Sequence, residues 1–224
     1  MEILTQTISP WLENLDYDWS PLIDQAKTKE LTSNIHIYDQ GDQADTVFLV
    51  LSGRVRLFML SSDGREKAIS IAGKNCLMGE NRVRKDNTYF ENAVTASSVS
   101  IAYIPYAKFE SIIYDNKDLM AQYIDLLNTK LRLATVYNLH LSYGSSIKRI
   151  CDAFYHLAMN YGNKKDDGIT IRIQFTHQEL ANLIGTSRVT VANTVNNLLK
   201  QQILVKKGKF YHIPKLSRLI NTTN

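Results

Sequence analysis

Hydrophobic positions follow two rhythms along this chain, and the change of rhythm divides it. From Ile35 to Pro105 the apolar residues come in short runs that favour a period of two. "TVFLVLSGRVRLFML" holds two β-rich runs meeting near Gly53, and "SSDGREKAISIAG" sets an Asp-Gly turn, Asp63-Gly64, between further strands. Val55, Leu57 and Met59 alternate with Arg54, Arg56 and Phe58, where the phenylalanine breaks the pattern. Glycines at 41, 53, 64, 73 and 79 punctuate the segment, and "SVSIAYIP" ends it at Pro105. An antiparallel β-barrel or β-roll is the economical prediction. The first 34 residues read as short helices broken by Pro10 and Pro21, with Trp11, Leu12, Leu15 and Trp19 as packing positions.

From Asp118 to Ser142 the step becomes three and four. Met120, Ile124, Leu127, Leu131, Ala134, Asn138 and Leu141 form one stripe. Tyr123, Leu126, Lys130, Leu133, Tyr137 and His140 form a second beside it. About 25 residues at 1.5 Å each predict a rod of roughly 37 Å. A helix this apolar must be covered on two sides. The β-unit can cover one, and a second copy of the chain most simply covers the other, which makes the first stripe the candidate dimer interface. Asn138 is the kind of buried polar residue that fixes register. The alternative is that both stripes pack within one monomer. "SYGSS", Ser142 to Ser146, reads as a hinge.

Beyond the hinge, "IKRICDAFYHLAMNYG" predicts an amphipathic helix, and "KKDDGITIRIQF" a polar turn and short hairpin. In "FTHQEL", Thr176 and Glu179 have the spacing of a capping box that starts a helix at His177. That helix runs to Ile184, Gly185 supplies a tight inter-helix turn, and Ser187 or Thr186 caps the next helix. Val191, Val195 and Leu198 make its inner face, and Ala181 allows close helix crossing. "ILVKKGKFYHI" then predicts a hairpin with Lys206, Lys207 and Lys209 at its tip. Together these form a winged helix–turn–helix. Such a motif offers the first residues of its second helix to the major groove, here Ser187, Arg188, Val189, Thr190 and Asn193. Arginine suits guanine, asparagine suits adenine, and an apolar side chain meets a thymine methyl. Thr176, His177, Ser187 and the wing lysines are placed for phosphates.

Charge strengthens this reading. The chain has 224 residues and a net charge of +4, unevenly spread. From Ile147 onward 12 Lys/Arg face 4 Asp/Glu, a local +8, whereas the preceding residues hold 14 against 18, or −4. A basic C-terminal third on a mildly acidic body fits a nucleic-acid-binding appendage. With 44% hydrophobic and 21% charged residues the composition is that of an ordinary globular protein. No apolar run approaches a membrane span, and the acidic start lacks signal-peptide character, so a cytoplasmic protein without membrane contact is expected. Cys76 and Cys151 match no zinc or iron–sulfur spacing, and read as reduced packing thiols or as one redox switch. The five histidines form no ligand spacing, and neither a nucleophile elbow nor a P-loop appears, so neither catalysis nor a metal is expected.

At these residues the chain resembles the CRP/FNR family of bacterial transcription regulators. "FTHQELANLIGTSRVTVANTV" is similar to its helix–turn–helix, "SGRVRLF" and "AGKNCLMGE" to its β-roll, and Asp118 to Ser142 to its dimerisation helix. The resemblance implies an α+β architecture: a β-roll of the cupin-like jelly-roll kind, a long dimerisation helix and a C-terminal winged helix–turn–helix. The domains would be 1–117, an effector-sensing β-roll with N-terminal helices; 118–146, long helix and hinge; and 147–224, the DNA-binding domain. It further implies a homodimer on an inverted repeat in double-stranded DNA, acting with RNA polymerase and switched by a small-molecule effector in the β-roll, with no cofactor.

Three departures bear on the effector. Gly79-Glu80 match the first phosphate-binding pair of the cyclic-nucleotide members, but Glu91-Asn92 stand where their Arg-Ser pair would be. A carboxylate facing a phosphodiester repels it, so cyclic AMP is not expected. The N-terminal cysteine cluster of the iron–sulfur members is missing, and Arg188 is followed by Val189 rather than the frequent glutamate. "AGKNCLMGE" and Lys130 resemble members that sense organic anions, while "DGIT" and "SRVTV" resemble the 2-oxoglutarate-sensing nitrogen regulators. The expected effector is an organic anion held by Gly79, Glu80, Arg82, Arg84, Lys85, Lys130 or Arg132, with Tyr89, Asn92 and Thr135 as hydrogen-bond partners. Lys130 on an apolar stripe is either such a ligand or a stem whose ammonium snorkels to water. Thiol sensing through Cys76 or Cys151, or haem sensing through His36 or His140, is the alternative.

Overall fold

The structure is a computed structural model that describes residues 9–13, 15–82 and 85–222. The described residues form two compact units, one within 10–134 and the other comprising 135–222 with Ser9. This division falls inside the long helix, between Ala134 and Thr135, rather than at either end of the 118–146 segment set apart by sequence periodicity.

In chain order the first unit contains β1 (Trp11–Leu12), α1 (Ser20–Ile23), β2 (Lys27–Leu31), β3 (His36–Tyr38), β4 (Thr46–Ser52), β5 (Val55–Leu60), β6 (Glu66–Ala72), β7 (Leu77–Met78), β8 (Asn92–Thr95), β9 (Val99–Pro105), α2 (Tyr106–Asp115) and most of α3 (Lys117–Tyr143). Two sheets form the β-roll, ordered β1-β6-β5-β8-β3 and β2-β9-β4-β7. All pairings are antiparallel except β1 with β6. β4 and β5 lie in different sheets, so the chain changes sheet at Gly53. Gly53 has φ +82, and a Cβ there would lie 2.2 Å from the Ser98 carbonyl oxygen, so only glycine fits the corner. The alternation broken at Phe58 corresponds to a register shift between Leu57 and Phe58 against β6. Val55, Leu57 and Phe58 are buried, and Met59 beyond the shift is only half-buried.

The N-terminal segment departs from the predicted helices. Among its described residues only α1 is helical, and the part of the prediction over residues 1–8 lies outside them; Trp11 and Leu12 pair with Ile71 and Ala72, and β2 pairs along β9. β2 reads "KTKEL" and is almost wholly exposed, so it lacks the apolar alternation by which a strand is recognised. Trp19 is buried in the roll's core with Leu22, Val47, Leu49, Ile104, Phe109, Leu119 and Leu126.

α3 has 27 residues, roughly 40 Å of helix. Leu119, Leu126 and Leu133 are buried at steps of seven, with Tyr123 and Lys130 half-buried between them and Tyr137 half-buried one turn beyond. On the other stripe Ile124 is 50%, Leu131 65% and Leu141 43% exposed; Ala134 and Asn138 are also exposed, while Met120 and Leu127 are half-buried.

The second unit holds α4 (Ser146–Tyr161), β10 (Gly162–Lys165), β11 (Gly168–Ile171), α5 (His177–Ile184), α6 (Arg188–Lys200), β12 (Val205–Lys207), β13 (Phe210–Ile213) and α7 (Leu216–Asn221). Its antiparallel sheet runs β10-β11-β13-β12. Phe154, Phe175 and Tyr211 meet at 5.2–5.7 Å and join α4 to this sheet.

Candidate functional site

Short-range hydrogen bonds build α5 and α6. The Thr176 hydroxyl accepts from the Glu179 amide at 3.1 Å, and Glu179 Oε2 accepts from the Thr176 amide at 2.6 Å, completing the capping box. Gly185, φ +65, closes α5 in the left-handed region and donates to Ala181 O. The Ser187 hydroxyl accepts from the Thr190 amide at 3.0 Å and caps α6. Val191, Val195 and Leu198 are buried on one side of α6. The opposite side presents Arg188, Asn193 and Val189, the last 67% exposed. An exposed valine with no packing duty, between an arginine and an asparagine, is a surface suited to base edges.

The residues expected from the sequence to face phosphates differ in how far they are committed. Thr176 and Ser187 use their oxygens as caps, and Ser187 Oγ also lies 2.8 Å from Thr190 Oγ1. His177 Nε2 lies 3.2 Å from Tyr211 Oη, and burial, then the Lys206 and Arg188 charges, hold its pKa below the usual imidazole range. In the wing, Lys206 sits 5.5 Å over the Tyr211 ring, and Lys209 is exposed at the turn. Lys207 is not a free cation: its ammonium lies 2.6 Å from Asp167 in the β10–β11 turn. His212 is buried beneath them and contacts Thr170 Oγ1 and Asp167 O, both at 2.9 Å.

Arg149, absent from the sequence-derived set, ties this unit together. Its guanidinium donates to Ile184 O at 2.9 Å, Gly144 O at 2.6 Å, His140 O at 3.2 Å and Gly185 O at 3.3 Å. One side chain thus links the end of α3 to the turn of the helix–turn–helix, and Tyr137 Oη donates to Leu183 O beside it. The sequence held one signal, since a cation in the first turn of α4 opposes the helix dipole.

The β-roll contains a buried polar group. Lys130 Nζ lies 2.6 Å from Glu80 Oε1 and donates to Leu77 O at 2.9 Å. The Glu80 side chain has no exposed surface, and its Oε2 has no hydrogen-bond partner among the described residues; the same holds for Asn81 Oδ1. Burial lowers the Lys130 pKa, but Glu80, Cys76 and Glu91 outweigh it and hold the ammonium charged. Glu91 is 3% exposed, and burial pushes its carboxyl up to about 7, with Lys130 opposing and Glu80 adding to the rise. Tyr38 Oη stands 3.5 Å from Glu91 Oε1.

This arrangement alters the expected anion site. Lys130 neither snorkels nor waits for an anion; it is spent on Glu80. Arg82 stacks on Tyr106 at 3.6 Å and faces Glu110 at 3.7 Å. Tyr89 Oη donates to Thr46 O at 2.8 Å, and Gly79 lies against the Tyr89 ring. Asn92 bonds the Phe58 carbonyl and the Gln40 amide, each at 3.1 Å. Thr135 belongs to the other unit, Lys85 is exposed, Arg132 donates to Thr129 Oγ1, and Arg84 lies outside the described residues. Glu80, Glu91 and Lys130 form the group that the fold assembles. Burial pushes the Cys76 thiol up to about 12 and the Cys151 thiol to about 11, far from the thiolate that redox sensing requires. His36 is exposed and faces Asp39 at 2.8 Å. Among the described residues no cluster of His, Cys, Asp or Glu could hold a metal, and no helix is long and apolar enough to cross a membrane.

Comparison with known proteins agrees with this two-part construction. Residues 28–116 match the cyclic nucleotide-binding domain family, and residues 148–222 the Crp-like helix-turn-helix domain family. The chain is 23% identical to the CRP-like cAMP-activated global transcriptional regulator of Mycobacterium tuberculosis, covering 82% of each chain. It is 26% identical to the global nitrogen regulator of a Nostoc species, covering 79% of this chain and 80% of the relative. In fold it is similar to FixK2 from Bradyrhizobium japonicum, with a TM-score of 0.77, 18% identity, and coverage of 89% of this chain and 98% of that one.

Proposed function

Since the chain belongs to the CRP/FNR family of DNA-binding transcription regulators, we propose that it binds an inverted repeat as a homodimer, in the cytoplasm, and acts there on RNA polymerase under the control of a small-molecule effector in the β-roll. The observation that carries this reading is the outer face of α6: Arg188, Val189 and Asn193 stand clear of the core on a doubly capped helix–turn–helix beside a lysine-bearing wing. The apolar stripe of α3 supports the homodimer, because Ile124, Leu131 and Leu141 are exposed along it. Two heads related by a two-fold axis would read half-sites about one helical turn apart. Regulation, not catalysis, is the role this construction serves.

An effector lodged in the roll would act through α3, because it would favour one arrangement of that helix. Effector and DNA affinities must then change each other by the same factor. Cyclic AMP does not suit the site: Glu91 would set a carboxylate against its phosphodiester. The experiment is selection of preferred sites from random duplexes at fixed salt, with wild type and Arg188→Ala in parallel. An enriched palindrome that the variant loses is the expected result. No enriched motif from wild type, with and without cell extract, would overturn the reading.

A further inference from the structure

Among the described residues, Glu80 is a buried carboxylate served on one side only. Lys130 reaches Oε1 at 2.6 Å, while Oε2 and the neighbouring Asn81 Oδ1 are buried without a donor among those residues. Buried acceptors normally find partners, and leaving them without one is costly. A lysine ammonium is a compact point charge, whereas a planar guanidinium offers parallel N–H groups that match both oxygens of a carboxylate. Glu91 adds a second buried carboxylate facing the same lysine, so two acids and one base share the site. An entering anion would meet Glu80, and Glu91 once ionised, with Lys130 and Arg82 already engaged. A cation, in contrast, can enter by exchange. If the Lys130 side chain swings out, it vacates the volume of its own stem and ammonium, and the number of charges buried is unchanged.

We infer that Glu80 is a cation seat occupied by Lys130, and that a small guanidinium-bearing molecule is the ligand class that displaces it. The incoming fork would bind both Glu80 oxygens, with Asn81 Oδ1 available to a further N–H. Lys130 belongs to α3, so its release would unfasten the helix from Glu80 and Leu77 and connect ligand uptake to the helix that carries the proposed dimer stripe. This inference rests on reading the β-roll as the sensing part of the regulator.

The test uses the full-length protein with methylguanidinium chloride as the probe, and sodium chloride and sodium benzoate at equal ionic strength as controls. Lys130→Met empties the seat and leaves Glu80 without its cation. Its melting temperature should rise with methylguanidinium far more than that of wild type, and neither control should reproduce the rise. In Lys130→Met/Glu80→Gln the carboxylate that would receive the fork is gone as well, and the dependence on the probe should disappear. Calorimetry on wild type and on Glu80→Gln alone covers the case in which Lys130→Met fails to fold; the variant's affinity for the probe should fall about a hundredfold. Equal rescue of the single and double variants, rescue by benzoate, or equal affinity in wild type and Glu80→Gln would overturn the inference. Duplex selection is scored separately: protein that selects a palindrome yet ignores methylguanidinium refutes only the cation seat, and the converse refutes only the DNA reading.

Discussion

Replacing Glu91 with glutamine should make the protein more stable at alkaline pH while leaving it unchanged in acid. Burial, opposed by Lys130 and reinforced by Glu80, pushes the Glu91 carboxyl from 4.5 to about 7. The folded state therefore holds this proton more tightly than the unfolded chain does. A raised pKa contributes stability that is present in full below 4.5 and is lost as pH rises through about 7. At 1.36 kcal/mol per unit, the loss approaches about 3 kcal/mol by pH 8. Glutamine imitates the protonated acid and does not titrate. The two proteins should melt together near pH 4 and diverge above it, with Glu91→Gln higher by about 6–12 °C at pH 8 for a chain of this size. His156, which burial holds down at about 4, has the opposite pH dependence, since its folded-state pKa is depressed. It is present in both proteins and cancels in the difference. Thermal melts followed by circular dichroism at half-unit steps from pH 4 to 8.5 make the measurement. Parallel pH profiles for the two proteins, or a variant less stable than wild type at pH 8, would refute the argument.

The geometry sets four further outcomes. Arg188→Ala should weaken binding to the selected duplex by about 1–3 kcal/mol and relax preference at one position per half-site, whereas Lys209→Ala should lower affinity evenly across sequences and reduce the salt slope by about one, both read by fluorescence anisotropy. Leu131→Asp places a charge on the most exposed apolar position of the α3 stripe, and should convert a dimer to monomers in analytical ultracentrifugation; an unchanged sedimentation coefficient would count against that interface. Gly185→Ala forces a Cβ into the left-handed region at the turn, and should cost about 1–2 kcal/mol in urea denaturation.

Much of the second unit could be read from sequence because its determinants are local. The capping box at Thr176 and Glu179, the turn at Gly185 and the cap at Ser187 each act within four residues, and α6 declares its inner face through Val191, Val195 and Leu198. The stripes of α3 were equally plain, as periodicity survives without knowledge of the partner. What escaped was long-range. Trp11 and Leu12 are strand residues only because Ile71 and Ala72 lie beside them, and β2 is a strand only because β9 offers an edge. Lys130 stood out on its stripe, but nothing in the chain announced that its counter-ion lies fifty residues earlier at Glu80. Long separations likewise hid the pairing of Lys207 with Asp167, 40 residues apart, and of Arg149 with the carbonyls of Ile184 and Gly185, 35 and 36 residues apart.

The two faces of α6 also bear on how such a regulator changes over generations. Val191, Val195 and Leu198 are confined by the core, where a lost methylene is felt at once. Arg188, Val189 and Asn193 support nothing inside the molecule. If these three positions read bases as proposed, mutation there would redirect the protein to other promoters at almost no cost in folding, and its regulon could drift while its architecture stays fixed.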